Sequence, residues 1–180
     1  SSPDLTARTF SEPLAKALGQ PVIVENKVGA GGNIGADAVA KARDDHTIGL
    51  MINGNMTIAK LINPAVPYDP LKDFAPLTLV GTSPLVLTAP VSQLGVAATA
   101  SAREFLATAR SAGDQWSYGT PGVGTVGHIG TELLKSRSGI NPVHVPYAGY
   151  PQVATAMLGG QLQMAPLPPA LAQAQVKAGK

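Results

Sequence analysis

The chain has no cysteine among its 180 residues, which excludes disulfides, thiolate zinc sites and thiol nucleophiles. Charge is scarce: Asp, Glu, Lys and Arg make up 13% of the residues, about half the roughly 25% of an ordinary domain. With Gly at 20 and Pro at 16 residues, that argues against a coiled coil and against charge-rich disorder. No apolar run approaches the ~20 residues of a membrane span. The chain opens Ser1-Ser2-Pro3-Asp4, without the basic and apolar lead of a signal peptide. The net charge is only +2, and basic residues such as Lys16, Lys41, Lys72 and Arg110 are dispersed. Nothing forms a phosphate-binding stripe, so nucleic acid is not expected as a partner. No H-E-x-x-H or similar spacing is present, so no metal is expected.

What is present suits a globular α/β domain, and the length suffices for one sizeable core. A helix is predicted from Asp4 to about Leu18, with Pro13 forcing a kink or restart and Gly19 as the stop. Strands are predicted at Val22–Val24, Thr47–Ile52, Leu77–Val80, Leu85–Leu87, Gln115–Tyr118, His144–Val145 and Leu162–Met164. Helices are predicted over Asn33–Ala42, Met56–Ile62, Val126–Ser138, Gln152–Leu158 and Pro169–Ala178. A further helix opens at the capping-box pattern Ser101-Ala102-Arg103-Glu104. The proline-rich stretch 63–76 reads as a surface loop. This alternation predicts α/β architecture with a largely parallel sheet. The weakly patterned residues 88–100 suit a linker between two lobes, 1–88 and 89–180.

Three predicted strand-to-helix junctions carry unusual residues: Gly29 to Gly35, Asn53 to Thr57, and Gly119 to His128. Helix N-termini offer unpaired N–H groups and a positive dipole end. Glycine lets backbone approach a ligand closely. The first loop departs from a dinucleotide fingerprint, because Ile34 fills its third glycine position and Asn26-Lys27-Val28 separate it from the strand. The third is no Walker A, because Thr125 stands where the lysine is required. None of the three loops contains Arg or Lys, whereas phosphate sites usually recruit a cation. Neutral donors suit a carboxylate. The plainer reading of each loop, a tight turn with no ligand, stays open.

An enzyme using His128 with Thr125 is an alternative, since both sit at one junction. No G-x-S-x-G is present, and no acidic residue lies near His128 in sequence to orient it. His46 and His144 read as strand-edge residues, and Asp44-Asp45 as a solvated turn. Tyr147 sits at a strand end, where its ring could wall a cleft or simply pack.

Several motifs together resemble the Bug receptors, the extracytoplasmic solute-binding proteins of tripartite tricarboxylate transporters. They are Gly19-Gln20-Pro21-Val22-Ile23-Val24-Glu25-Asn26, Gly29-Ala30-Gly31-Gly32-Asn33-Ile34-Gly35, Pro67-Tyr68-Asp69-Pro70-Leu71-Lys72-Asp73-Phe74, His144-Val145-Pro146-Tyr147 and Leu158-Gly159-Gly160-Gln161, in that order. The resemblance implies a two-lobed, type II flytrap fold, incomplete at both ends in this chain. It implies a periplasmic location, no direct membrane insertion, no cofactor, no metal and no catalysis. It implies a small organic carboxylate as ligand and membrane transporter subunits as partners. By matching motif it places Gly32, Asn33, Asn53 and Asn55 in the binding site from the first lobe. From the second lobe it places Thr120, Gly122, Gly124, Thr125 and His128, with Tyr147 lining the cleft. A non-transport sensor or interaction module is the remaining alternative.

Overall fold

The computed structural model describes residues 2–91 and 99–180. Most of the expected linker at 88–100 therefore lies outside the described residues. Two compact units divide the chain, Ser1–Thr78 and Leu79–Lys180.

In the first unit α1 runs over Ser2–Leu18, with Pro13 inside it. The helix does not restart there. Proline removes one backbone donor and crowds the preceding turn, but around Pro13 the helix is exposed, where water can take the orphaned carbonyl. Helix α2 spans Asn33–Ala40. The predicted helix 56–62 is instead two short ones, α3 at Asn53–Thr57 and α4 at Ala59–Ile62. Asn53 and Asn55 thus stand on a helix rather than in a loop. Ala36, Ala59, Val66 and Tyr68 form the core, with Ala40, Met51 and Phe74 against it. The proline-rich stretch is a loop, as expected, yet it delivers Val66 and Tyr68 to that core, so it is not merely surface.

The strands predicted at 22–24, 47–52 and 77–80 do not form. A strand needs a neighbour for its ladder, and the described residues of this unit supply none. Ile23 is 84% exposed and Leu79 79%, so apolar composition there does not report burial.

The second unit begins with β1, Val86–Thr88, and continues through α5 at Ala102–Ala112, β2 at Ser117–Thr120 and α6 at Val126–Ser138. It ends with β3 at Val143–Pro146, α7 at Tyr150–Leu158, β4 at Ala165–Leu167 and α8 at Pro169–Lys177. Strands β2 and β3 are parallel, with Tyr118 opposite His144 and Thr120 opposite Pro146. A parallel bridge joins Tyr118 to Met164, just before β4. Strand β1 pairs antiparallel with β4, so the strands form one parallel and one antiparallel pair linked by that bridge, rather than a largely parallel sheet.

Side chains alternate across this sheet. Tyr118 and Met164 join Ala109, Trp116 and Ile140 on the α5–α6 side. Ala165 and Leu167 join Val153, Met157, Leu162 and Ala172 on the α7–α8 side. Gly119 faces α7: a Cβ there would lie 2.5 Å from Leu162 Cδ1 and 2.9 Å from Val153 Cγ1. Only glycine lets α7 pack this close. The capping box of α5 forms as predicted, Ser101 and Glu104 each accepting the other's amide.

Candidate functional site

In the first unit the loop before α2 is left-handed over four successive residues. Gly29, Ala30, Gly31 and Gly32 have φ of 123°, 47°, 65° and 94°. Three glycines make such a run affordable, since L side chains disfavour that region. The loop is pinned from α3. Asn55, 4% exposed, donates Nδ2 to Gly31 O (3.0 Å) and to Asn33 Oδ1 (2.7 Å). Its side chain lies against Gly32, where a Cβ would stand 3.0 Å from Asn55 Oδ1. The Tyr68 hydroxyl sits between Asn33 Oδ1 (2.8 Å) and the Asn55 carbonyl (3.0 Å). Burial raises the Tyr68 pKa above its ordinary value, so it stays a donor. Asn33 Oδ1 accepts from Asn55 Nδ2 and shares the one Tyr68 hydroxyl hydrogen with the Asn55 carbonyl, which fixes the amide with its NH2 on the other side. Gly32, Asn33 and Asn55 are brought together. Asn53 is not part of that cluster; its Oδ1 accepts the Gly54 amide at 2.9 Å and starts α3.

In the second unit β2 ends at Thr120 and the chain turns through Gly122 and Gly124 into α6. Thr125 is the N-cap, accepting the His128 amide and donating to Gly122 O at 2.7 Å. The first-turn amides of Val126 and Gly127 have no intrahelical acceptor. The Gly122 amide donates to Thr120 Oγ1 (3.2 Å), which is hydrogen-bonded to His144 Nε2 (2.7 Å). The Gly124 amide donates to His128 Nδ1 at 3.3 Å. Thr120 and Thr125 are 0% and 2% exposed, so their hydroxyls hold the loop's shape.

Behind the loop lies a stack that sequence reasoning missed. The His144 ring is 4.5 Å from that of His128 and 4.9 Å from that of Tyr118. Burial, reinforced by the neighbouring His128, lowers the His144 pKa to about 4. The ring is therefore neutral and exchanges a single hydrogen bond with Thr120 through Nε2. Tyr118 donates to Glu132 at 2.6 Å, and Lys135 pairs with the same oxygen at 2.9 Å. Burial raises the Glu132 carboxyl, but the hydrogen bonds from Tyr118 and Lys135 outweigh it and leave the pKa below the ordinary value. Burial and the Glu132 carboxylate push the Tyr118 phenol well above its ordinary range. His144 lies in β3, whose ladder partner is β2. In β3 it stands opposite Tyr118, one strand over.

Tyr147 meets the loop through its backbone, donating its amide to Thr120 O at 2.8 Å. Its ring lines a groove along α7 with Pro151, Gln152 and Thr155. The arrangement offers no nucleophile with its base. Thr125 is committed as a cap, and the hydroxyl–imidazole pair that does form uses the fully buried Thr120. Among the described residues no group of three or more His, Cys, Asp or Glu could hold a metal ion.

The profile of one family, the tripartite tricarboxylate transporter family receptor, matches residues 6–180. The chain is 35% identical over 162 residues to Protein BugT of Bordetella pertussis, covering 88% of this chain and 48% of that protein. It is equally 35% identical over 162 residues to a UPF0065 protein from Pseudomonas sp. strain P51, covering 89% of this chain and 47% of the relative. Among solved structures, MatC of Rhodopseudomonas palustris with bound malate aligns with a TM-score of 0.86 at 30% identity, over 98% of this chain and 59% of that one. An R. palustris protein solved with adipate aligns with a TM-score of 0.89 at 28% identity, over 98% and 58%. The chain spans about half the length of the curated relatives it matches. The matched structures are periplasmic binding proteins, and the two-lobed α/β binding-protein fold expected from the motifs is the one found.

Proposed function

Because the chain belongs to the tripartite tricarboxylate transporter receptor family, we propose that it is part of an extracytoplasmic receptor that captures a small organic carboxylate for the membrane subunits of such a transporter. The family is one of receptors, not enzymes. The observation that carries the ligand class is the Thr120–His128 loop. It opens a 13-residue helix, presents backbone amides at the positive end of that helix, and contains no arginine or lysine. A carboxylate accepts from such donors without needing a counter-charge. The malate and adipate found in relatives of similar fold support that chemistry.

In this reading Gly122, Gly124 and His128 supply donors, and Thr120 and Thr125 hold the loop in the shape that presents them. In the first unit Asn33 presents its NH2, Gly32 and Asn55 fix it, and Asn53 lies at the edge. Tyr147 bounds the ligand on the β3 side. No cofactor and no metal take part. The periplasmic proteins among the solved relatives support a periplasmic location, and among the described residues no helix is long and apolar enough to cross a membrane. The test is calorimetry of the natural-length protein against malate, adipate, tricarboxylates and aromatic acids. Saturable one-site binding of at least one class is expected. Silence across the whole panel would contradict the receptor reading and favour a sensor or interaction module.

A further inference from the structure

We propose that carboxylate capture at the Thr120–His128 loop is coupled to uptake of a proton by His128. The inference rests on the receptor reading and adds how that site responds to pH. In the loop as it stands, the Gly124 amide donates to His128 Nδ1 across 3.3 Å. An imidazole nitrogen that accepts carries no proton, so this bond requires neutral His128. A carboxylate oxygen is the stronger acceptor for an amide. When the ligand takes the Gly124 N–H, Nδ1 is left with a lone pair beside an anion. A proton taken from solvent there turns Nδ1 into a donor to the same carboxylate. No covalent bond to carbon changes, and the buffer supplies the proton.

The surroundings bear on where that proton is held. His128 is the third residue of α6, where the helix dipole opposes a cation until an anion binds. The groups that face it are few. His144, with its ring 4.5 Å away, is held neutral by burial and so adds no like charge. Tyr118, stacked on His144 at 4.9 Å, is uncharged and donates to Glu132. Glu132, one turn along α6, attracts the proton. Lys135 opposes it, but is paired with Glu132 at 2.9 Å. The remaining histidine, His46, lies in the other unit with its amide on Asp44 Oδ1, and serves as an internal control.

The experiment is calorimetry of malate and adipate binding to the natural-length protein at a pH of about 6.5, the ordinary imidazole value, in buffers of differing ionisation enthalpy. The observed heat should vary with buffer in the sense of proton uptake. Uptake of about half a proton tightens Kd roughly threefold per unit fall in pH. His128→Gln, which keeps an acceptor that cannot titrate, should lose the buffer dependence, and His46→Gln should keep it. Binding with buffer-independent heat overturns the coupling and leaves the receptor reading standing. No binding of either acid overturns both. Buffer dependence that survives in His128→Gln overturns the assignment to His128. Should that variant not fold, imidazole nitrogen NMR of the unmodified protein decides: Nδ1 of His128 gains its proton on adding malate, and an unchanged Nδ1 overturns the proposal.

Discussion

Replacing Tyr68 by Phe removes one oxygen from the centre of the first unit and leaves everything else in place. The ring is 1% exposed and meets Phe74 edge-on at 5.4 Å, a contact phenylalanine keeps. What is lost is a hydroxyl that joins three segments: its own loop, the Asn33 side chain at the start of α2, and the Asn55 carbonyl in α3. The hydroxyl has one hydrogen for two acceptors, so the loss is counted once. Asn33 Oδ1 keeps Asn55 Nδ2 at 2.7 Å, whereas the Asn55 carbonyl loses a donor in a buried place. A net hydrogen bond is worth about 0.5–1.5 kcal/mol, and a stranded buried acceptor costs about 1–3 kcal/mol. Destabilisation of about 1–2 kcal/mol is therefore expected. For a unit of this size that melts alone, each kcal/mol lowers Tm by roughly 4–8 °C. Urea unfolding followed by circular dichroism measures it. Freed of one partner, the Asn33 amide should also turn more readily, and carboxylate affinity should fall with stability. A Phe variant as stable as the parent would refute the claim that this hydroxyl ties the left-handed loop to α3.

Other perturbations probe the remaining contacts. Gly32→Ala forces a Cβ to φ of 94° and to 3.0 Å from Asn55 Oδ1. The conformation alone costs about 1–2 kcal/mol, so lower stability and weaker binding are both expected in the same unfolding and calorimetric assays. Gly119→Ala drives a methyl into Leu162 and Val153; overpacking of this kind costs about 1–3 kcal/mol, and a neutral result by thermal melt would contradict the close α7 packing. His144 is a base whose folded pKa, about 4, lies below its ordinary 6.5. Its neutral form is favoured by the fold, so its contribution is full above about 6.5 and is lost as pH falls towards about 4. Urea midpoints measured across that window should decline in the parent and decline less in His144→Gln.

Helices and their ends were legible because their signals are local. The capping box at Ser101 and Glu104 needs only neighbouring residues, and the helix expected over Val126–Ser138 forms with those bounds. Strands were less legible in the first unit, because Val22–Val24 and Leu77–Val80 are apolar runs whose fate depends on a distant pairing partner. The α3 boundary was missed for a related reason: Asn53-Gly54-Asn55 favours turns locally, and tertiary contacts of Asn55 with Gly31 and Asn33 override that. The glycine and threonine positions of the candidate site could be read from motif and junction chemistry. His144, Glu132 and Tyr68 could not, because each acts through a partner 14 or more positions away: Tyr118 on Glu132, Thr120 on His144, and Tyr68 on Asn33. Such pairs carry no sequence pattern of their own.

The central claim is that a carboxylate is gripped by backbone amides at the start of α6, without lysine or arginine. Amide NMR of the natural-length protein, titrated with malate, addresses it directly. The Gly122, Gly124, Val126 and Gly127 amides should shift downfield together and saturate at one ligand per chain. Saturable binding that leaves those four amides unmoved, with shifts gathered instead around lysines or arginines, would contradict it.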